Sequence, residues 1–470
     1  MADTPSNTNG DRVSPSHAGP EHTEPKAFAR ELWNTRIGFV LAAVGSAVGL
    51  GNMWRFPYVT AESGGAAFVI LYIILTFVLG IPVMLGEFVV GRRTHQSPIG
   101  ALRQAGGRAW APLGYMFVLT GFLILAYYAV IAGWVVRYAL GIVFAGFPAD
   151  AGVYFNEISF GPSAIGFHLF FMALTIGIVM GGVEKGIERA ATIMMPTLFL
   201  LLAGLALWAF TLQGSDTGYA YYLTPSLDDF SFRVFGSAAA QAFFSLSLGM
   251  GAMLTFASYL SKEESLPRES VVIAFSDFGV AFVAGLVVFP VIFALGIQGS
   301  IGESTFGALF ISLPSAFAAM GGAVGRIVGS LFFIALMVGA LTSTISLLEV
   351  VTASMIDEFG WDRKRAALGM GAVIAGVGVW PALSGGALTV YDAVTGNVLL
   401  PLGGLGLALV VGWRMKEPVA ELIKGTGPGL APFYRGWLWI MRIVVPVLLI
   451  IVLSTTVPAA WRSITALFGN

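Results

Sequence analysis

The run IGFVLAAVGSAVGLGNMWRFP, Ile37 to Pro57, carries the octet GSAVGLGN at its centre, Gly45 to Asn52. A helix interrupted at glycine frees backbone N–H and C=O groups, and hydrocarbon tolerates these only where they line a cavity or bind something. Freed carbonyls draw cations, and half-helix N-termini draw anions. A second break of similar composition, SLSLGMG, runs from Ser245 to Gly251. Asp277 lies in another apolar run, where a carboxylate is a functional candidate by default; the other reading is an acid buried protonated. The chemistry on offer is therefore binding of ions and polar groups by backbone and side-chain oxygen. Catalysis is poorly equipped: there is no Cys, and His17, His22, His95 and His168 fall in a tail, a loop and the outer end of a span. Gly45 and Gly49 alone would also suit a small-xxx-small packing face, but that reading leaves Gly51, Asn52 and the second break unexplained.

The elements that must position these groups are membrane helices. The chain of 470 residues is 57% hydrophobic and 11% charged, with mean hydropathy +0.83, against about 25% charged in a soluble domain. A net charge of -1 offers no basic excess for nucleic acid. At about 20 apolar residues per crossing, the sequence predicts eleven spans: 37–60, 66–90, 111–144, 165–181, 190–212, 235–260, 271–298, 323–356, 365–381, 388–413 and 436–460. Placing the N-terminus inside puts all but five of the 25 Lys and Arg on the inner side, the exceptions being Arg55, Arg137, Arg233, Arg326 and Arg462. That asymmetry predicts a multi-pass protein of the plasma (inner) membrane, with its N-terminus cytoplasmic and its C-terminus outside.

The expected class is all-α integral membrane, as a 5+5 inverted repeat with discontinuous first and sixth helices plus one extra C-terminal helix. Paired breaks in corresponding spans point to a transport site at the midplane. Residues 1–29, which lack the h-region of a signal peptide, read as a disordered cytoplasmic tail. Residues 30–413 read as the core, with repeats of about 30–212 and 235–413. Residues 414–470 supply a cytoplasmic loop, the eleventh helix and a short outer end.

The motifs RELWNTRIGF, GLGNMWRFPY, ESGGAAF, GIPVMLGEF, AYYAVI, FFSLSLGMG, TFASY, GALTSTIS and YDAVTGN, in this order from Arg30 to about Trp413, resemble the neurotransmitter:sodium symporters, above all their bacterial amino-acid members. The resemblance implies a leucine-transporter-type fold and two sodium ions. One would be held by Ala47, Asn52, Ser245 and Asp277 with the substrate's own carboxylate. The other would be held by Gly45, Val48, Gly339, Thr342 and Ser343. Hydroxyls such as Thr342 and Ser343 also commonly bond back to their own helix. The family more often has Ala at position 339, which a carbonyl ligand scarcely notices.

By the same resemblance the amides of Leu50 and Gly51 and the Tyr128 hydroxyl would hold a substrate carboxylate. Carbonyls of Ala47, Phe244 and Ser247 would hold its amine, and Ser46, Ile124, Phe244, Met250 and Leu347 its side chain. Monoamine-carrying relatives have Asp where this chain has Gly49, so a substrate with its own carboxylate fits better. The apolar lining, with an adaptable Met, suits a neutral hydrophobic or aromatic amino acid. Chloride-dependent members have Asn at position 277; here Asp277, with Tyr72 and Gln241, would supply that negative charge, so no chloride is expected.

The resemblance makes Arg55 and Asp392 an outer gate with Phe244 and Tyr128 as lid. Arg30 and Asp357, at matching depths of about 22 and 21 Å from Gly45 and Ser343 if helical, would form the inner gate beside Trp33 and Tyr259. Glu87 would brace the second break or snorkel toward Arg92, and Glu349 would line the inner path. The expected mechanism is alternating access with sodium-coupled import. Proton coupling through Asp277 or Glu349 remains the closer alternative, and a channel or membrane enzyme is more distant.

Overall fold

A bilayer leaves the backbone only itself to bond to, so segments this apolar fold as helices. The computed structural model describes residues 31–294, 296 and 305–468, and among them there are helices and no strands. The expected N-terminal tail and Arg30 lie outside the described residues. The first span is two helices, α1 (Arg36–Ala47) and α2 (Gly51–Glu62), bent by 47° at the break. Val48 leaves the helix in an extended conformation. The chain re-enters through a π-helical turn, Gly51–Arg55, and Pro57 opens the α-helical part beyond it, where a missing N–H costs nothing.

The following spans are α3 (Ala66–Thr94), α4 (Arg108–Ala145), α5 (Pro162–Val179) and α6 (Val183–Ala209). Next come two short helices, α7 (Phe232–Ser245) and α8 (Ala252–Ala257). They are followed by α9 (Leu266–Ala294), α10 (Gly322–Phe359), α11 (Arg363–Leu383), α12 (Gly385–Arg414) and α13 (Pro428–Arg462). Nine helices and the bent first pair are long and apolar enough to cross a membrane among the described residues. The expected total of eleven requires counting α7 and α8 as one crossing, since neither half reaches span length.

Between α7 and α8 the backbone is left-handed at Ser247 (φ 54°), Gly249 (φ 79°) and Gly251 (φ 78°). Ser247 is the strained member, at roughly 1–2 kcal/mol for a side chain in that region. Its hydroxyl donates to the Ser46 carbonyl at 2.7 Å, which ties one break to the other. Gly249 cannot be larger, because a Cβ there would lie 2.2 Å from the Leu400 carbonyl oxygen on α12.

Burial separates centre from periphery. In α4 and α10, which pack along each other, 72% of the most apolar window is buried, against 33% in α5 and α6 and 28% in α13. Several boundaries differ from expectation: α6 begins at Val183 rather than 190, and α13 at Pro428 rather than 436. The first turns of both, Val183–Arg189 with its charges and Pro428–Arg435 with its prolines and glycine, fall outside the expected apolar run although they are helical. Short helices Ala151–Ser159, Ser215–Leu223 and Leu309–Ala319 connect the spans on the opposite side from these turns.

Candidate functional site

The two breaks enclose a cavity of about 30 Å³, lined by Ser46, Ala47, Gly49, Gly51, Ile124, Tyr128, Phe244, Ser245, Ser247, Met250, Ser343 and Leu347. Every residue expected to line a substrate pocket is there except Leu50. That residue is fully buried, and its N–H donates to the Tyr128 hydroxyl oxygen at 2.8 Å. The Leu50 amide therefore does not face the cavity: Tyr128 already satisfies a donor that the bend would otherwise leave free. At Gly49 a Cβ would stand 2.3 Å from Ser343 Oγ and 2.7 Å from Tyr128 Oη. A side chain at that point would require both hydroxyls to move.

Against one end of this cavity, oxygen-bearing groups from five elements gather: α1, α2, α3, α7 and α9. Asn52 Nδ2 donates to Asp277 Oδ1 at 2.6 Å, to the Asp277 carbonyl at 3.0 Å and to Ser245 Oγ at 3.1 Å, while Asn52 Oδ1 accepts from the Gly49 N–H at 3.1 Å. Ser245 Oγ donates to both Asp277 oxygens, at 2.9 and 2.8 Å, and Tyr72 Oη donates to Ser245 Oγ at 3.1 Å and Asp277 Oδ2 at 3.2 Å. Asp277 is fully buried, and this cage of donors compensates its desolvation. Ala47, the last residue of α1, lines the same cavity. Gln241 stands slightly apart: its Nε2 donates to the Gly51 carbonyl at 3.1 Å, and its Oε1 has no partner. It braces the start of α2, where the Gly51 carbonyl also accepts from the Phe56 N–H, and makes no bond to the Asp277 carboxylate.

A second group of oxygens lies between α1 and α10. Thr342 Oγ1 donates to the Gly339 carbonyl at 2.9 Å and reaches the Val48 carbonyl at 3.5 Å; Ser343 Oγ donates to the Gly339 carbonyl at 3.3 Å. A Cβ on Gly45 would meet Thr342 Cβ at 3.0 Å. All five residues of the expected second sodium site are thus neighbours, with hydroxyls turned toward their own helix. These main-chain and hydroxyl oxygens are hard donors, and no carboxylate stands among the five residues.

On the side expected to face outward lies a second cavity. Arg55 and Asp392 line one cavity of about 220 Å³ with Tyr127, Tyr128 and Phe244, and the expected ion pair between them is not made. The Arg55 guanidinium carbon lies 4.6 Å from the centre of the Phe244 ring, and Asp392 Oδ1 accepts from Tyr127 Oη at 3.0 Å. Across a cavity of this width the two charges gain little from pairing and take nearer partners. Phe244 and Tyr128 line both this cavity and the central one, so they form the partition between them.

On the opposite side, expected to face inward, aromatic and charged groups pack between the helix ends. Trp33 donates its indole N–H to the Phe256 carbonyl at 2.9 Å and its backbone N–H to the Tyr259 carbonyl at 3.1 Å, with its ring edge-on to Phe256 and Tyr259. Asp357 accepts from the Ser97 N–H at 2.6 Å; its expected partner Arg30 lies outside the described residues. Glu349 is fully buried and held by Arg363 through two bonds of 2.7 and 3.0 Å and by the Tyr259 hydroxyl. Arg363 also reaches Glu31 at 3.2 Å. Glu87 bonds the Gly249 N–H at 2.8 Å and the Leu254 N–H at 3.0 Å. Its alternative partner Arg92 is engaged with Glu421 at 2.9 Å.

Arg363, Tyr127 and Glu188 carried no signal in the sequence beyond charge or aromaticity. Arg363 was one of many inner-side cations, and only the packing of α11 against α10 brings it to Glu349. Ser346, whose hydroxyl accepts from Ser46 Oγ at 2.8 Å across the cavity wall, was equally invisible.

Comparison with known proteins agrees with this geometry. A family model described as the sodium:neurotransmitter symporter family matches residues 30–150 and 160–464. YhdH of Bacillus subtilis, an uncharacterized sodium-dependent transporter, is 37% identical over 443 residues, covering 89% of this chain and 96% of its own length. The sodium-dependent neutral amino acid transporter B(0)AT2 of Bos taurus is 32% identical over 302 residues, 56% of this chain and 41% of its own. The crystal structure of MhsT in complex with L-phenylalanine superposes with a TM-score of 0.83 at 38% identity, covering 91% of this chain and all of that one. The chain, a multi-pass membrane protein with two broken helices around a central cavity, belongs to the sodium:neurotransmitter symporter family and is a sodium-dependent secondary transporter, not an enzyme.

Proposed function

We propose that the protein imports a neutral α-amino acid with an apolar or aromatic side chain, coupled to two sodium ions and independent of chloride, by alternating access. The observation that carries this reading is Gly49, which faces Ser343 Oγ and Tyr128 Oη at the cavity and brings no side chain of its own to it. With no acid supplied by the protein at that point, a substrate that brings its own carboxylate fits better. Ile124, Phe244, Met250 and Leu347 line the cavity, which supports an apolar side chain. The related structure that holds L-phenylalanine agrees with this class. Asp277, bonded to Asn52, Ser245 and Tyr72, supports a fixed charge in the role of chloride.

The outer cavity with the inner seal describes the state that receives sodium and substrate from outside. Phe244 and Tyr128 would close over them before α1 and α7–α8 tilt to open the inner side. The asymmetry of Lys and Arg supports a plasma-membrane protein with its N-terminus inside, and the two repeats remain as read from the sequence, about 30–212 and 235–413. Two sodium ions at a tenfold gradient and 100 mV supply about 7 kcal/mol, enough for roughly 10⁵-fold accumulation of a neutral substrate.

The test is uptake into proteoliposomes with a panel of labelled amino acids under a sodium gradient, with chloride or gluconate. Uptake of Phe, Leu or Trp that needs sodium and ignores gluconate is expected. Uptake confined to glycine or glutamate would overturn the pocket assignment, and uptake unchanged in choline would favour proton coupling.

A further inference from the structure

Glu188 has no part in ion or substrate binding, yet it is buried, 6% exposed, against the start of α1. Its Oε2 accepts from the Asn34 N–H at 2.9 Å, and its Oε1 accepts from the Thr35 N–H at 3.1 Å and from Thr35 Oγ1 at 2.6 Å. The Thr35 hydroxyl in turn accepts from the Gly38 N–H at 2.9 Å, as the helix's own N-cap. No acidic residue stands in the first turn of α1, although a helix N-terminus favours one. The carboxylate is instead supplied from the π-helical turn Val183–Glu188 at the base of α6. Gly38 makes room for it: a Cβ there would lie 2.1 Å from Glu188 Oε1.

From this arrangement we infer that Glu188 is a positioning residue for the transport cycle: a cap, given in trans, that latches the first half-helix to α6 and holds the inner side closed. Opening the inner path by tilting α1 must break all three bonds at once. The latch therefore sets how much of the population is closed inside before any ligand binds. Neighbouring ties act on the same segment, with Glu31 accepting from the Val183 N–H and Arg36 paired with Glu269 at 2.7 Å, but Glu188 holds the two backbone N–H groups that lead into the helix, those of Asn34 and of its N-cap Thr35.

The inference rests on the transporter reading but not on the identity of the substrate, and its test needs no substrate. The chain has no cysteine, so single reporters need no background removal. Ala353→Cys lies buried in the cluster formed by Val183, Tyr259 and Trp33 beneath the inner seal, and Thr389→Cys lines the outer cavity. In sodium, Glu188→Gln is expected to raise the rate at which Cys at position 353 reacts with a polar maleimide roughly tenfold, the equivalent of losing one charge-assisted cap, and to lower the rate at position 389. Gly38→Ala, which displaces the carboxylate without removing its charge, is expected to do the same.

A merely structural Glu188 would lower the unfolding temperature without moving the two rates in opposite directions. Unchanged rates in a folded Glu188→Gln protein would overturn the latch, and so would a rise at both positions. If Glu188→Gln fails to fold, the Gly38→Ala pair of rates decides alone. Failure of amino-acid uptake in the wild type, with the latch result intact, would fault the substrate assignment only.

Discussion

Gly49 acts through what it leaves out. A methyl group there would press on Ser343 Oγ and Tyr128 Oη, and overpacking of this kind costs about 1–3 kcal/mol. Gly49→Ala is therefore expected to raise KM for the amino acid roughly tenfold or more and to lower the unfolding temperature, as read from uptake kinetics and thermal denaturation. Asp277 acts through its charge. The Asp277→Asn side chain can retain acceptor contacts with Ser245 and Tyr72 but removes the negative charge. Uptake by that variant is expected to become chloride-stimulated, measured by replacing chloride with gluconate; a variant as indifferent to chloride as the wild type would remove Asp277 from that role.

Among the elements, α8 is the most dependent on a single side chain. It has six residues and begins after a left-handed glycine, with Glu87 bonding the Leu254 N–H near its start and the Gly249 N–H in the break. Glu87→Gln keeps the shape and weakens two charge-assisted bonds, each worth about 1.5–3 kcal/mol at most. A lower unfolding temperature is expected together with a fall in uptake.

The loop between α12 and α13 is anchored by Glu421, buried at 2% exposure with Arg92 and Lys424. Burial pushes its carboxyl pKa up, but the bond to Lys424 and the charge of Arg92 outweigh that and leave it below its usual range. A depressed pKa contributes stability above the unfolded value of about 4.3, and that contribution is lost as pH falls through the lower folded value. Below about pH 4 the wild type should therefore lose thermal stability, and Glu421→Gln should flatten that part of the pH profile.

At the scale of the molecule, one side is open and the other closed, and different interactions account for each. The outer charges Arg55 and Asp392 stand across a cavity, where separation costs little. The inner side holds the buried Glu349–Arg363 pair. Removing one partner of such a pair costs about 3–5 kcal/mol because the other is left buried and unpaired. Arg363→Gln is thus expected to destabilise the closed inner side strongly, with Glu349→Gln in the same chain recovering part of the loss. A double-mutant cycle on cytoplasmic thiol reactivity measures the coupling. Additive effects would show that the pair does not act as a unit.

The sequence by itself determined the helical membrane class and the positions of both breaks, and its resemblance to a known family named the residues that surround the cavity. Long apolar runs have one structural solution in lipid, and glycine and polar residues in their middle are rare enough to mark function. It also anticipated the bonds from Glu87 to the second break. Only the tertiary structure decided which partners the charges take. Arg55 and Asp392 are apart, and Leu50 gives its amide to Tyr128. Arg363 finds Glu349, and Glu188 caps a helix more than 150 positions earlier in the chain. Local pattern records what a helix must bury, whereas a hydrogen bond between distant segments depends on how the helices cross, and no spacing in the chain encodes that.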